Sequence, residues 1–162
     1  TETASHIALR KVGVDNHFQT QTGVQVTLDD EQLCIAIPEL DFFIKTNDIA
    51  KLYDDSFQIL GRSDDVINSG GVKIHPALIE PQIKKVLESA SINRAFYVTK
   101  KSDTTLGEKA VLVLEGPPIT DKAYVLELLK RDLPLYHNPK EIIFVDQIAY
   151  TDTGKVKRVV LE

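Results

Sequence analysis

The chain has 162 residues, of which 43% are hydrophobic and 27% charged, and its formal net charge is −5. This composition is ordinary for a globular protein, and the negative balance argues against a general nucleic-acid binder, which carries a basic surface. No apolar run reaches the roughly 18 residues of a membrane-spanning helix, and the N-terminus lacks the basic and apolar regions of a secretory signal. We therefore expect a cytoplasmic protein with one ordinary domain or two small ones.

The single cysteine, Cys34, lies in the apolar run 33–37. It excludes an internal disulfide, and its surroundings predict a buried, inert thiol rather than a nucleophile. The four histidines are scattered without the spacing of zinc ligands. The chain contains no methionine and begins at Thr1, so we expect it to be a piece of a longer protein.

Residues 1–60 are predicted to form short strands joined by turns. β-Branched and aromatic residues concentrate in short runs, Asp, Asn, Gly and Pro separate the runs, and no segment has helical periodicity. The predicted strands are 6–9, 25–28, 32–37, 42–44, 49–53 and 57–60.

Residues 61–71 are predicted to form a connector between two domains, because they are rich in Gly, Ser, Asp and Asn. Gly70 and Gly71 can take positive φ and allow a backbone to approach a ligand closely. The predicted domains are therefore 1–60 and 61–162.

The second domain mixes helices and strands. Apolar residues at helical spacing predict a helix over 76–90, but Pro81 cannot lie deep in a helix, so the helix either begins near Leu78 or kinks. Thr120 is the predicted N-cap of a second helix, 121–132, whose buried face carries Val125, Leu128 and Leu129. Strands are predicted at 92–99, 109–114 and 141–145, with a polar loop at 100–108. The predicted fold class is α+β, with a β-rich N-terminal piece followed by a small α+β domain.

Asp48 and Arg62 are the first candidate site residues. Both oxygens of a carboxylate can accept from the two hydroxyls of a ribose, and an arginine can donate to the same sugar or to a phosphate. Alone, the pair is also compatible with a surface salt bridge worth under about 1 kcal/mol.

Lys155 follows Gly154 in a predicted turn near the C-terminus. A mobile ammonium group can stabilise negative charge that develops on phosphate and carboxylate oxygens, although a solvated lysine would give the same pattern. Glu2 could hold Mg²⁺, which prefers carboxylate oxygens, and Thr1 could donate to a phosphate.

Four motifs occur along the chain in a fixed order, and together they resemble the adenylate-forming superfamily. This superfamily includes acyl-CoA synthetases, peptide-synthetase adenylation domains and luciferases. The motifs are Thr1-Glu2, then Thr46-x-Asp48, then Gly61-Arg62-x-Asp64 continuing through Gly71-x-x-Ile74 to Ile79-Glu80, then Thr153-Gly154-Lys155-x-x-Arg158.

The resemblance implies roles in nucleotide binding for the first motifs. Glu2 would bind Mg²⁺ and Thr1 would contact a phosphate. Asp48 would bind the ribose hydroxyls of ATP, with Arg62 beside it. Asp64 would be the hinge about which the C-terminal domain rotates.

The resemblance implies that the later motifs serve two successive steps. Lys155 would assist adenylation and then swing away. Gly71 would line the tunnel for the pantetheine of coenzyme A in the thioester-forming state, and Lys73 would meet a phosphate of coenzyme A.

Two positions depart from the superfamily pattern. Asn47 replaces the usual glycine between Thr46 and Asp48, and we expect the turn to survive because Asn tolerates a left-handed conformation. The run 148–150 is Ile-Ala-Tyr, where a proline and a basic residue are usual before the lysine.

Residues 1–60 would then be the incomplete final β subdomain of a large N-terminal domain, and 61–162 the rotating C-terminal domain. The superfamily's Ser/Thr/Gly-rich phosphate loop is not in this sequence, so we expect the chain alone to be inactive. Its partners would be ATP, Mg²⁺, coenzyme A, a small carboxylic acid and the missing N-terminal domain, and oligomerisation is left open. The implied function is ATP-dependent carboxylate–CoA ligation through an acyl-adenylate. The alternatives are another acyl- or aryl-CoA synthetase, an amino-acid adenylation domain, or a stand-alone α+β interaction module.

Overall fold

The computed structural model describes residues 6–161. The chain divides into two compact units, of which the first ends at Asp64 and the second begins at Asp65. The division falls within the connector expected at 61–71, four residues after the predicted domain boundary, because a strand continues as far as Arg62. The α+β fold class is confirmed: strands dominate the first unit, and the second combines a sheet with two helices.

The first unit is a six-stranded antiparallel sheet with the strand order β1-β2-β6-β5-β4-β3. Its core contains Leu33, Ile35, Ala50 and Phe57, and Cys34 is buried as expected. The strands are β1 (Ala8–Leu9), β2 (Phe18–Thr20), β3 (Gln25–Asp29), β4 (Gln32–Ile37), β5 (Phe42–Tyr53) and β6 (Ser56–Arg62).

Strand β5 corrects the prediction of two short strands separated by a turn. It runs without a break for 12 residues, and its pairing with β6 shifts register between Ile49 and Ala50. From Phe42 to Asp48, every second residue is partly buried, which is the alternation of a strand with one covered face. The run 46–48 therefore lies within a strand.

The second unit packs two helices on a five-stranded sheet. In this sheet β10 pairs with β9 antiparallel and with β11 parallel, and β7 and β8 form a hairpin next to β10. The elements are β7 (Ile67–Ser69), β8 (Val72–Ile74), α1 (Pro76–Ser89), β9 (Phe96–Asp103), β10 (Gly107–Glu115), α2 (Lys122–Asp132) and β11 (Glu141–Val145). The core joins Ile83 and Leu87 of α1, Leu129 of α2, and Leu112 and Ile142 of the sheet.

Helix α1 begins earlier than the alternative start near Leu78. Pro76 is its first residue, a position where the missing N–H and the fixed φ of proline cost nothing. Pro81 lies inside the helix and removes the bond to the carbonyl of Ala77. The helix passes through it because the residues of its inner face, including Ile83, are buried, and packing supplies most of the stability of a helix in a protein.

Helix α2 is capped by Asp121 and not by Thr120. The Asp121 side chain accepts from the N–H of Tyr124, as an N-cap carboxylate does. The predicted inner face is confirmed, since Val125, Leu128 and Leu129 are all buried. No helix within residues 6–161 is long and apolar enough to cross a membrane.

The polar segment 100–108 is mostly strand and not a loop. Strand β9 continues to Asp103 and β10 begins at Gly107. Asp103 Oδ1 accepts from the backbone N–H groups of Thr105 and Leu106 and thereby closes a short turn.

Candidate functional site

Asp48 and Arg62 lie opposite each other on adjacent strands of the first unit's sheet. They are register partners on β5 and β6, and Asp48 Oδ1 lies 4.0 Å from Arg62 Nη1. Both residues therefore lie within strands. The sequence pattern had predicted that they lie on connectors between strands. The strand pairing fixes their backbones, while each side chain keeps at least a third of its surface exposed and can turn to a ligand.

Thr46 fixes the backbone next to Asp48. Its hydroxyl donates to the carbonyl of Leu33 at 2.9 Å and accepts from the N–H of Asp48 at 3.1 Å. Asn47 is not among the residues with positive φ, so the expected left-handed turn is wrong. The two hydroxyl bonds hold Asp48 without such a turn.

A cleft of about 500 Å³ opens beside Asp48 in the first unit. Thr46 and Asp48 supply polar groups to a wall that is otherwise mostly apolar, with His6, Ile7, Ala8, Phe18, Leu33, Ile35, Phe57 and Ile59. Small-molecule sites commonly combine an apolar wall with few polar groups. Sequence reasoning did not find this cleft, although two pairs of apolar residues two positions apart, Leu33 and Ile35 in β4 and Phe57 and Ile59 in β6, line it.

Asp64 is held by its neighbours at the end of the first unit. Arg62 Nη2 donates to Asp64 Oδ2 at 3.0 Å, and the Ser63 hydroxyl donates to Asp64 Oδ1 at 3.1 Å. These bonds, the one from Arg62 first, lower the pKa of the Asp64 carboxyl group. Arg62 thus lies closer to Asp64 than to Asp48, so a ligand at Asp48 would compete with Asp64 for the same guanidinium group.

Gly70 and Gly71 form the tight turn between β7 and β8. Their φ angles are +60° and +84°, and Ser69 pairs with Val72 on either side of them, as in a two-residue hairpin that requires positive φ at both positions. The predicted turn is present. Lys73 is exposed on β8.

A second cleft, of about 250 Å³, lies in the second unit beside this turn. Its lining residues come from the turn, from the β9–β10 connection and from the segment before β11: Ser69, Gly70, Val72, Leu106, Tyr136 and Lys140. Gly70 packs on this side, because a Cβ added there would lie 3.1 Å from Leu106 Cδ2, whereas a Cβ at Gly71 would meet nothing within 4 Å.

Lys155 lies near the tip of a closed hairpin, residues 149–157, called the Lys155 hairpin below. The N–H of Thr151 donates to the carbonyl of Lys155 at 2.7 Å, and the N–H of Gly154 donates to the carbonyl of Thr151 at 2.8 Å. The Thr151 hydroxyl accepts from the N–H of Lys155 at 3.1 Å. Lys155 is exposed, so a hydrogen-bonded turn presents its ammonium group to the surroundings. The Ile-Ala-Tyr departure at 148–150 does not prevent the turn.

The structure thus distributes the candidate residues between the two units. Asp48, Arg62 and Asp64 lie in the first unit, and Gly71, Lys73 and Lys155 lie in the second. Thr1 and Glu2 lie outside the described residues. Within residues 6–161 no group of three His, Cys, Asp or Glu side chains is placed to hold a metal ion.

The comparisons with known proteins point to one class of enzyme, although no protein-family profile matches the chain. Indoleacetate–CoA ligase of Aromatoleum aromaticum is 29% identical over 96% of this chain and 32% of its own length. A mitochondrial acyl-coenzyme A synthetase of Homo sapiens is 33% identical over 81% of this chain and 23% of its own length. A 2-succinylbenzoate–CoA ligase of Listeria monocytogenes is 27% identical over 98% of this chain and 38% of its own length. The chain therefore spans about a quarter to two fifths of these relatives.

Two solved structures show the same fold. An AMP-forming acyl-CoA synthetase-like protein of Dyadobacter fermentans, 31% identical, superposes with a TM-score of 0.60 over 95% of this chain and 46% of that one. An o-succinylbenzoate coenzyme A synthetase of Bacillus subtilis, in complex with ATP and magnesium, is 18% identical and has a TM-score of 0.65 over 85% and 33% of the two chains. The relatives and structural neighbours of this chain are thus AMP-forming CoA ligases, and its fold matches the C-terminal α+β part of an acyl-CoA synthetase.

Proposed function

We propose that this chain is the C-terminal part of an ATP-dependent carboxylate–CoA ligase that works through an acyl-adenylate. The observation that carries the proposal is the division at Asp64, which separates Asp48 and Arg62 from Lys155 and Gly71. In this proposal, the first unit is the final β subdomain of a large N-terminal domain. The second unit is the domain that rotates.

In the first step, a carboxylate oxygen of the acid attacks the α-phosphorus of ATP, and pyrophosphate leaves. Asp48 accepts from the two ribose hydroxyls, and Arg62 donates to the same nucleotide. Negative charge grows on the α-phosphate oxygens during this attack, and the ammonium group of Lys155 stabilises it. The exposure of Lys155 on its hairpin supports this role.

In the second step, the thiol of coenzyme A attacks the acyl carbon, and AMP leaves with the bonding electrons. Lys155 is not needed here, and the face around Gly71 takes its place. Rotation at Asp64 exchanges the two, since a few residues at the end of an element can absorb the change in φ and ψ. The open space beside Gly71 supports the passage of a pantetheine chain.

Magnesium neutralises phosphate charge when it is bound with ATP. Glu2 is the ligand that the resemblance assigns, and the described residues add no cluster of acidic or histidine ligands to it. Lys155 and Arg62 are the cations of this chain that act on the nucleotide.

We propose o-succinylbenzoate, an acid of menaquinone biosynthesis, as the carboxylic acid to test first. Residues 1–10 and 68–74 resemble those of o-succinylbenzoate–CoA ligase, and the Listeria relative with this activity in its name matches 98% of the chain. The indoleacetate ligase is similarly close, and this makes indoleacetate the second acid to test.

The test is ATP–pyrophosphate exchange by the longer polypeptide that contains this chain. The acids are o-succinylbenzoate, indoleacetate, a medium-chain fatty acid and an amino acid. Exchange with an amino acid but not with the aromatic acids would overturn the choice of o-succinylbenzoate. Absence of exchange with every acid would contradict the ligase itself.

Lys155→Ala separates the enzyme from a binding module in the same assay. We expect exchange to fall on the order of 100-fold or more, the usual cost of removing one group that stabilises transition-state charge. Lys157→Ala is the matched control, because Lys157 is another exposed lysine of the same hairpin. Equal activity of Lys155→Ala and the control would favour an interaction module without chemistry of its own.

A further inference from the structure

We propose that Glu80 and Arg158 are positioning residues that hold the base of the Lys155 hairpin and so place its ammonium group for adenylation. The inference rests on the proposed function, because it concerns the same lysine. Both residues belong to motifs of the sequence, yet neither has a role in the chemistry described above.

The ion pair between Glu80 and Arg158 is bidentate and largely shielded from solvent. Arg158 Nη2 donates to both carboxylate oxygens of Glu80 at 2.8 Å, and the two side chains are 23% and 21% exposed. Glu80 Oε1 also accepts from the N–H of Val98 at 2.9 Å. Helix α1 and strand β9 thus fix the carboxylate, and the carboxylate fixes the guanidinium group through charge-assisted bonds.

Arg158 also contacts the segment that follows the proposed hinge. Its Nη1 lies 3.4 Å from Asp65 Oδ2, and Asp65 is the first residue of the second unit. The same guanidinium group therefore joins the C-terminal segment, helix α1 and the residue directly after Asp64. We infer that the hairpin turns with the start of its unit as one rigid piece.

The Lys155 hairpin is held at both of its ends. On the incoming side Ile148 is buried, and its N–H donates to Glu115 Oε2 at 2.8 Å. On the outgoing side only Val156 and Lys157 separate Lys155 from Arg158, and the N–H of Lys157 donates to the carbonyl of Ala149 at 2.9 Å. Arg158 is thus the first side chain after Lys155 that ties the hairpin to a helix.

The chain after Arg158 has anchors of its own. The Thr99 hydroxyl donates to the carbonyl of Val159 at 2.8 Å, and the N–H of Leu161 donates to the carbonyl of Lys100 at 3.0 Å. For this reason we expect Arg158 variants to fold and to keep the C-terminal segment on β9. In these variants we expect the hairpin to lose its fixed orientation. The carboxylates of Glu80 and Asp65 also lose the guanidinium group that lies between them.

The test compares the two half-reactions in the longer polypeptide. Arg158→Ala should slow ATP–pyrophosphate exchange about 10- to 100-fold, since a misplacement of about 1 Å costs up to about 100-fold. Thioester formation from supplied acyl-adenylate and coenzyme A should change less than about twofold, because Lys155 has left the site by then. Arg158→Lys keeps the charge and should recover part of the exchange. Arg131→Ala is the control, because Arg131 pairs only with its exposed neighbour Asp132 among the ion pairs described.

A double-variant cycle tests whether Arg158 acts through Lys155. In a Lys155→Ala background, adding Arg158→Ala should lower the residual exchange no further, because residues that act as one unit are not additive. Equal slowing of both half-reactions, a fully additive cycle, or normal exchange by Arg158→Ala would each overturn the proposal.

Hydrogen exchange of the chain gives a readout that does not depend on activity. In Arg158→Ala the backbone amides of Gly154, Lys155 and Lys157 should exchange faster than in the unaltered chain, while the amide of Leu161 keeps its rate. Unchanged amide exchange rates at the hairpin would overturn the positioning role of Arg158. This holds even if the longer polypeptide proved to be no ligase. Conversely, faster hairpin exchange together with absent ligase activity would overturn the proposed function alone.

Discussion

A methyl group at Gly71 should separate the two half-reactions of the proposed ligase. Gly71 has a φ of +84°, and a Cβ there would meet nothing within 4 Å. Gly71→Ala therefore adds no overlap within the described residues, and its cost to folding is the left-handed backbone alone, about 1–2 kcal/mol. For a unit of about 100 residues, this lowers the melting temperature by roughly 5–15 °C.

The expected effect on activity is larger for one step than for the other. If Gly71 lines the path of pantetheine, the added methyl overpacks that path at a cost of about 1–3 kcal/mol. This corresponds to a thioester-forming step about 5- to 150-fold slower. Adenylation should keep its rate, because that step uses Lys155. The assays are thioester formation from supplied acyl-adenylate and ATP–pyrophosphate exchange, each below the melting temperature of the variant.

Gly70→Ala is the matched control for backbone strain. Gly70 has a φ of +60°, and its added Cβ would lie 3.1 Å from Leu106 Cδ2, so the methyl is directed into the unit. Its stability should fall at least as much as that of Gly71→Ala, and its thioester formation should fall less. Equal slowing of thioester formation by the two variants would refute the reasoning, because strain and not the position of the methyl would then explain the loss.

Three further predictions concern the hinge, the nucleotide and pH. Asp64→Pro fixes φ at the proposed hinge and should slow one half-reaction far more than the other; equal slowing of both would count against rotation. Asp48→Asn removes a charged acceptor worth about 1.5–3 kcal/mol, so the KM for ATP should rise about 10- to 150-fold while the KM for the acid stays constant, and an unchanged KM for ATP would exclude Asp48 from the nucleotide site. The backbone N–H groups of Leu106 and Thr105 lower the pKa of Asp103 in the folded chain. The Asp103 carboxylate therefore stabilises the fold fully at pH values above its pKa in the unfolded chain, and this stabilisation is lost as pH falls through its lower pKa in the folded chain. Titration of the Asp103 carboxyl carbon by NMR should show that low pKa, and titration at the ordinary value would contradict the turn.

Burial patterns were the part of the fold that the sequence predicted well. Val125, Leu128 and Leu129 recur at helical spacing, and all three face the core. Strand β11, Glu141–Val145, has the predicted bounds. Such patterns succeed because the spacing of apolar residues reports which face of an element is covered.

Turn-forming residues misled the prediction wherever long-range bonds replaced the local ones. Asn47 and Asp48 favour turns, yet they lie within β5, because the Thr46 hydroxyl reaches the carbonyl of Leu33 on the neighbouring strand. Pro81 indicated a late helix start, yet α1 passes through it on the strength of its buried face. Neither the strand neighbour nor the buried face can be identified from a local stretch of sequence.

The residues of the candidate site could be predicted from the sequence, but the contacts between them could not. The motif residues Glu80 and Arg158 were visible in the sequence, but their pairing joins positions 78 residues apart. The position of Asp48 opposite Arg62 depends on the register of β5 and β6, which no spacing in the sequence gives.

The most direct measurement is a pair of crystal structures of the longer polypeptide. One would contain the acid with a non-hydrolysable ATP analogue, and the other an acyl-adenylate analogue with coenzyme A. We expect Lys155 Nζ within hydrogen-bonding distance of a phosphate oxygen in the first structure, and Gly71 beside the pantetheine chain in the second. Lys155 far from the nucleotide in both structures would contradict the account.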